Sequence, residues 1–187
     1  MERKREVRVC PAELAGTLDN VLRKLAHNPR KILKPFLEKG MTVLDFGCGP
    51  GFFSVEIARM VGENGRVIAA DIQQGMLNRV AGKVKDTFLE NRIELHLCEA
   101  DKTGITEKVD FILAFYVVHE VPDREKLITE LKSILKPEGK LLIIEPWFHV
   151  SRRSFHKLVD LLNKNNLVTN TVRGIFTSRS VVCRIIK

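Results

Sequence analysis

Long apolar runs, paired cysteines and a leader-like start are all scarce in this chain, and each scarcity removes a class of protein. The longest apolar run, Phe111 to Val118, falls far short of the roughly 20 residues that a membrane-spanning helix needs. The opening MERKREVR carries charge where a secretory leader has its apolar core, so the expectation is a soluble, cytoplasmic protein with no membrane span. Four cysteines, Cys10, Cys48, Cys98 and Cys183, are scattered, without the close pairs of zinc sites or redox motifs. Reduced thiols and no metal are expected. The 187 residues suit one domain with a sizeable core, not a cofactor domain plus a large substrate domain.

Acids are scarce at both ends. Met1 to Lys39 holds ten Lys or Arg against five acids, and Pro146 to Lys187 holds eight against one, whereas Gly40 to Glu145 holds thirteen against seventeen. An acidic middle suits a cationic ligand, and basic ends favour an anionic small acceptor or, as the second-ranked partner, nucleic acid. Solvated faces serving solubility explain the same asymmetry.

What is abundant is strand and helix alternation around one stretch, Val43 to Asp71. A short apolar strand holding Asp45 stops at Gly47; Gly47, Gly49 and Gly51 alternate; a helical pattern opens at Phe52 and ends near Gly62; and a second strand, Arg66 to Ala70, closes on Asp71. Glycines at alternate positions let a ligand lie against backbone N–H groups at the helix start. A dinucleotide fingerprint wants its third glycine where Phe52 stands.

This G-x-G-x-G spacing, with Asp45 two residues ahead and Asp71 ending the next strand, resembles the class I S-adenosylmethionine-dependent methyltransferases, in their small-molecule, ubiquinone/menaquinone-biosynthesis-like branch. The resemblance implies an α/β fold: a doubly wound, mostly parallel seven-stranded sheet with a C-terminal antiparallel hairpin. It implies S-adenosylmethionine as cofactor, a small-molecule acceptor, Asp45 near the methionine amino group, and Gly47, Cys48, Gly49 and Gly51 around the methionine moiety. Asp71 would take both ribose hydroxyls from a crevice position, so its loss is expected to leave the fold intact. Ile72, Gln73 and Met76 would flank the adenosine, Ala100 and Asp101 the adenine edge, and Phe115 would also contact the cofactor.

The remaining pattern reads as helices within 1–39, a cofactor-binding core at 40–145, and a helix with hairpin at 146–187, all in one domain. Asn28 and Pro29 form a cap and first-turn pair for a helix from Arg30 to Leu37. A helix from Ile72 to about Glu90, strands Arg92 to Leu97 and Val109 to Phe115, an Asp123-capped helix, the turn LKPEG and a strand Lys140 to Ile144 follow. Two strand signals, Val168 to Thr177 and Val181 to Ile186, flank a turn at Ser178 to Ser180. Strand ends in such a sheet meet in one crevice, bringing Asp45, Asp71, Asp101, Phe115, His119 and Glu145 together. His119 is the candidate catalytic base, because imidazole is the side chain best suited to proton transfer near neutral pH. Glu145, Trp147 and His149 are candidate pocket residues. The alternatives to a small-molecule enzyme are an RNA or protein methyltransferase of the same fold and a non-catalytic cofactor-binding module; against the first, the Asn-Pro-Pro-Tyr signature used on base amines is missing after the fourth strand, where Ala114, Phe115, Tyr116 and Val117 stand.

Overall fold

A computed structural model describes residues 27–99 and 102–186. Seven strands form one sheet in the order β3-β2-β1-β4-β5-β7-β6. They are β1 Thr42–Phe46, β2 Arg66–Asp71, β3 Ile93–Leu97, β4 Val109–Phe115, β5 Leu135–Pro146, β6 Leu167–Val172 and β7 Ser178–Ile185. Strands β1 to β5 pair in parallel, and β7 runs antiparallel to both β5 and β6. Strand order reverses between β1 and β4, the crevice where ligands of open α/β sheets bind.

Among the described residues five α-helices cover the sheet: α1 Pro29–Leu33, α2 Ser54–Val61, α3 Gln74–Val84, α4 Arg124–Ile134 and α5 Arg152–Lys164. Side-chain alternation along the strands divides the core between two faces. Val43, Val67, Phe111, Leu113 and Leu142 pack with Leu33 of α1, Ile57 of α2 and Val80 of α3. Leu44, Ile68, Ile112, Leu141 and Ile143 pack with Leu131 of α4 and Leu158 of α5. Burial on both faces is why the central strands read as near-continuous apolar runs.

Capping chemistry fixes several helix starts. Asn28 accepts from the Lys31 N–H with Pro29 in the first turn, Asp123 from that of Lys126, and Ser151 from that of Ser154. Ends are shorter than periodicity suggests. Helix α1 stops at Leu33, and α3 stops at Val84 because Lys85 is extended and Asp86 is left-handed, at φ 58°. LKPEG does not simply separate helix from strand: Leu135 already pairs with Val109, and the ladder resumes with Lys140 opposite Phe111. The intervening residues form a bulge.

The hairpin is offset from its sequence reading. Ser178 to Ser180 belong to β7, opposite Pro146, Glu145 and Ile144 of β5, so the turn falls at 173–177, with Gly174 at φ 85°. Pairing with β5 overrides the local turn signal; buried Ser180 donates to the Val172 carbonyl at 2.8 Å. Among the described residues no helix is long and apolar enough to cross a membrane.

Candidate active site

The carboxyl ends of β1, β2, β4 and β5 open into a cavity of about 640 Å³. Its lining includes Asp45, Gly47, Cys48, Gly49, Asp71, Ile72, Gln73, Met76, Phe115, His119 and His149, all expected from the sequence, whereas the expected Glu145 is buried behind it and the expected Trp147 is exposed outside it. Ala100 and Asp101 lie outside the described residues. Gly51 does not line the cavity: a Cβ there would meet Val80 at 3.0 Å, so this glycine lets the start of α2 approach α3.

The turn at 47–51 is built differently from a phosphate cradle. Gly47 and Cys48 both donate N–H to the Ala70 carbonyl at 2.9 and 3.0 Å, Gly49 donates to Asp71 Oδ2 at 2.9 Å, and Gly51 donates to the Cys48 carbonyl. Pro50 has no N–H. Every N–H of the turn at 47–51 is therefore engaged within the fold. A pyrophosphate would find no donor in the turn. Gly47 sits at φ 70° with the Val117 side chain only 2.5 Å from where a Cβ would stand, whereas the space beside Gly49, at φ 53°, is open. Gly47 thus serves packing, and Gly49 leaves ligand room.

Asp71 is the hub. Its Oδ2 accepts from Gly49 and its Oδ1 from the Gln73 N–H at 2.9 Å, tying the turn to the start of α3. These bonds do not use all four acceptor positions of the carboxylate. The expectation that this acid stands clear of the fold's own bonding is thus corrected: it faces the crevice and also holds two backbone segments. Burial pushes its carboxyl up from 3.8, against the backbone N–H groups of Gln73, Gly49 and Ile72. Asp45 is buried, and its Oδ2 takes the Ser54 hydroxyl at 2.5 Å. Ser54 carries no local signal for that role; α2 simply returns its first residue over the end of β1.

Cys48 is buried, and desolvation followed by the charges of Asp45 and Asp71 pushes its thiol well above its ordinary value. A protonated, enclosed thiol is poorly reactive, as a small residue in a tight turn would be. Met76 is 2% exposed and Ile72 37% exposed, so the first forms a fixed wall and the second an open one.

At the other end, Phe115 stacks on Tyr116 with centroids 4.1 Å apart and tilts on Phe53 at 4.5 Å. Tyr116 adopts φ 59°, an uncommon conformation for a bulky residue. Its hydroxyl bonds with Ser178 Oγ at 2.7 Å and His27 Nε2 at 3.1 Å, and His27 Nε2 also lies 2.9 Å from the Phe176 carbonyl. Sequence reading missed this cluster because its members lie 62 and 89 positions apart. His119 Nδ1 meets Glu145 Oε2 at 2.6 Å, and the His149 ring lies edge-on to His119 at 5.8 Å. Convergence of His119 and Glu145 was legible; their bond was not. Glu120 beside them is raised by burial, with His119 acting the other way and Glu145 and Asp71 adding to the rise.

The described lining carries six carboxylates, on Asp45, Asp71, Glu99, Glu120, Asp123 and Glu130, against one lysine, Lys102. Such a wall suits a cationic ligand. With the open space beside Gly49 and the remaining lone pairs of Asp71, it fits a nucleoside carrying a sulfonium.

A family model described as "Methyltransferase domain" matches residues 37–182. Among curated proteins, the chain is 32% identical over 110 residues to the ubiquinone/menaquinone biosynthesis C-methyltransferase UbiE of Enterobacter sp. (strain 638), covering 58% of this chain and 44% of that protein. It is 33% identical over 107 residues to the protein of the same name from Vibrio vulnificus (strain YJ016), covering 57% and 41%. The chain thus spans under half the length of these relatives. A SAM-dependent methyltransferase crystal structure from Aquifex aeolicus superposes with a TM-score of 0.85 at 30% identity, covering 95% of this chain and 100% of that one. The [4+2]-cyclase SpnF shares the fold alone, with a TM-score of 0.70 at 13% identity over 86% of this chain and 81% of its own. On the extent of the family match and the full-length Aquifex likeness, the chain belongs to the S-adenosylmethionine-dependent methyltransferases of class I.

Proposed function

We propose that this chain catalyses methyl transfer from S-adenosylmethionine to a small-molecule acceptor, in the manner of the quinone-biosynthesis C-methyltransferases to which its central part is similar. The observation that carries this reading is the turn at 47–51, with all its N–H groups engaged, set beside an acid with lone pairs to spare. That pairing suits a ribose and rejects a pyrophosphate. When bound, the cofactor supplies a methyl on a sulfonium, an already activated leaving group.

The chain's own residues then hold, orient and deprotonate. Asp71 accepts from the ribose hydroxyls, Ile72 and Met76 flank the adenosine, and Asp45, steadied by Ser54, receives the ammonium of the methionine end. Phe115 and Tyr116 wall the acceptor in place, since orientation is the main demand of an in-line displacement. His119 takes a proton from an acceptor that arrives protonated. Six carboxylates against one lysine favour a neutral acceptor over the anionic one that the basic ends suggest, and disfavour a phosphodiester. A cytoplasmic setting belongs to the same proposal, supported by the free thiols of Cys48, Cys98 and Cys183.

Calorimetry with S-adenosylhomocysteine and with NAD tests the cofactor, and transfer of labelled methyl into small-molecule, RNA and protein fractions tests the acceptor. Binding of the homocysteine product with label in the small-molecule fraction is expected. Tighter binding of NAD, or label confined to macromolecules, would overturn the reading.

A further inference from the structure

Glu145 carries a cost that the fold does not explain. It is 1% exposed near the end of β5, Oε2 meets His119 Nδ1 at 2.6 Å, and among the described residues Oε1 has no hydrogen-bond partner. Arg179, its register partner on β7, directs Nη1 instead to the carbonyls of Trp147 and Val150, at 3.2 and 2.8 Å. A buried carboxylate with one unmet oxygen destabilises a protein, and an apolar residue of similar volume would serve the core better. Such groups persist where chemistry requires them.

The chemistry is written in the bond itself. An ionised carboxylate only accepts, so the ring nitrogen facing it must donate. With the proton on Nδ1, neutral His119 has a bare Nε2 on the far edge of the ring, and no hydrogen bond from the described residues reaches that atom. His119 lines the cavity and Glu145 does not, so Glu145 can touch an acceptor only through the imidazole.

We infer that Glu145 is a positioning residue, which holds His119 in the Nδ1–H tautomer with Nε2 presented to the cavity as proton acceptor. The inference rests on the methyl-transfer reading for the purpose of the base, but not for the tautomer. The acceptor's proton would pass to Nε2 as its bond to the methyl forms and the methyl–sulfur bond breaks. The sulfur keeps the electron pair, and the resulting imidazolium stands beside the Glu145 carboxylate until water removes the proton.

The first test needs neither methyl donor nor acceptor. Long-range ¹H–¹⁵N spectra at alkaline pH, where histidine is neutral, report which ring nitrogen carries the proton, and the His119 signal is assigned by its loss in His119→Gln. The expected result is a protonated Nδ1 and bare Nε2 in the wild type, with the proton shared between nitrogens in Glu145→Leu, which has no acceptor oxygen. A proton on Nε2 in the wild type, or the same tautomer in both proteins, overturns the inference. The second test is kinetic. Glu145→Gln should lower kcat tenfold or more, within the range of general-base effects, while its affinity for S-adenosylhomocysteine and its thermal midpoint hold. Adding it to His119→Gln should cost nothing further, because the two act as one unit. A further loss in the double variant, or a loss of activity that tracks the thermal midpoint, refutes the positioning role. A wild type that binds no S-adenosylhomocysteine would instead refute the methyl-transfer reading, with the tautomer still decided by the spectra.

Discussion

Asp71→Ala probes the hub on which both turn and cofactor depend. In the ligand-free protein the change frees the N–H groups of Gly49 and Gln73, each bonded to the carboxylate at 2.9 Å. Hydrogen bonds to a charged group contribute about 1.5–3 kcal/mol each. Water entering the cavity re-solvates the freed donors, and removing a partly desolvated carboxylate is itself favourable, so the net loss of fold stability should be about 1–2 kcal/mol. Cofactor binding loses more. Two ribose hydroxyls donating to the carboxylate are together worth about 3 kcal/mol at the low end, and 1.4 kcal/mol is about tenfold, so affinity should fall by about two orders of magnitude or more. Asp71→Asn keeps one acceptor oxygen and should lose less affinity than alanine.

Titration with S-adenosylhomocysteine is the suitable assay, because the product lacks the sulfonium charge and leaves long-range attraction to the acidic wall out of the comparison. Urea unfolding gives the stability term separately. Unchanged affinity in a folded Asp71→Ala protein would refute the ribose assignment. Unchanged stability would refute the tethering of the turn. Burial raises this carboxyl above 3.8, so affinity should fall as pH drops through that raised value, where protonation removes the charge and turns one oxygen into a donor. The same group's contribution to fold stability runs the other way: it is fully present below 3.8 and is lost as pH rises through the raised value. Binding that weakens in acid without parallel unfolding is the expected pattern.

Gly47→Ala meets Val117 at 2.5 Å in a left-handed conformation and should cost about 2–3 kcal/mol of stability, read by urea unfolding. Gly49→Ala has open space beside it and should cost only about 1 kcal/mol, yet weaken S-adenosylhomocysteine binding at least tenfold by calorimetry; equal stability losses in the two variants would contradict their separate roles. Ser54→Ala strips a 2.5 Å partner from buried Asp45 and should lower stability by about 1–3 kcal/mol, measured by thermal unfolding. Cys48, Cys98 and Cys183 are all buried, with the thiols of Cys98 and Cys183 pushed up to about 12. Thiol reagent should therefore label these three only after denaturation, and rapid native labelling of Cys48 would contradict its enclosure.

Alternation of apolar runs with amphipathic stretches was enough to read the parallel core, the reversal crevice and the strand-end positions of Asp45, Asp71 and Phe115, because those properties follow from local periodicity and chain order. The caps at Asn28 and Asp123 were legible for the same reason: donor and acceptor lie within one turn. What tertiary structure decided was every feature whose partners are distant in the chain. Ser178 to Ser180 look like a turn until β5 is laid beside them, and only then does their backbone gain a ladder to join. The glycine turn announces a ligand site, but the N–H groups of Gly47, Cys48 and Gly49 are claimed by Ala70 and Asp71, which arrive from the neighbouring strand. Gly51 reads like Gly49 in sequence and differs only because Val80 of α3 presses on it. His119, in the 3-10 turn Val118–Glu120 that follows β4, and Glu145, near the end of β5, stand 26 positions apart, and their 2.6 Å bond exists because β4 and β5 are neighbours in one parallel ladder. Local sequence specifies which residues reach the crevice; the register of the sheet specifies which of them touch.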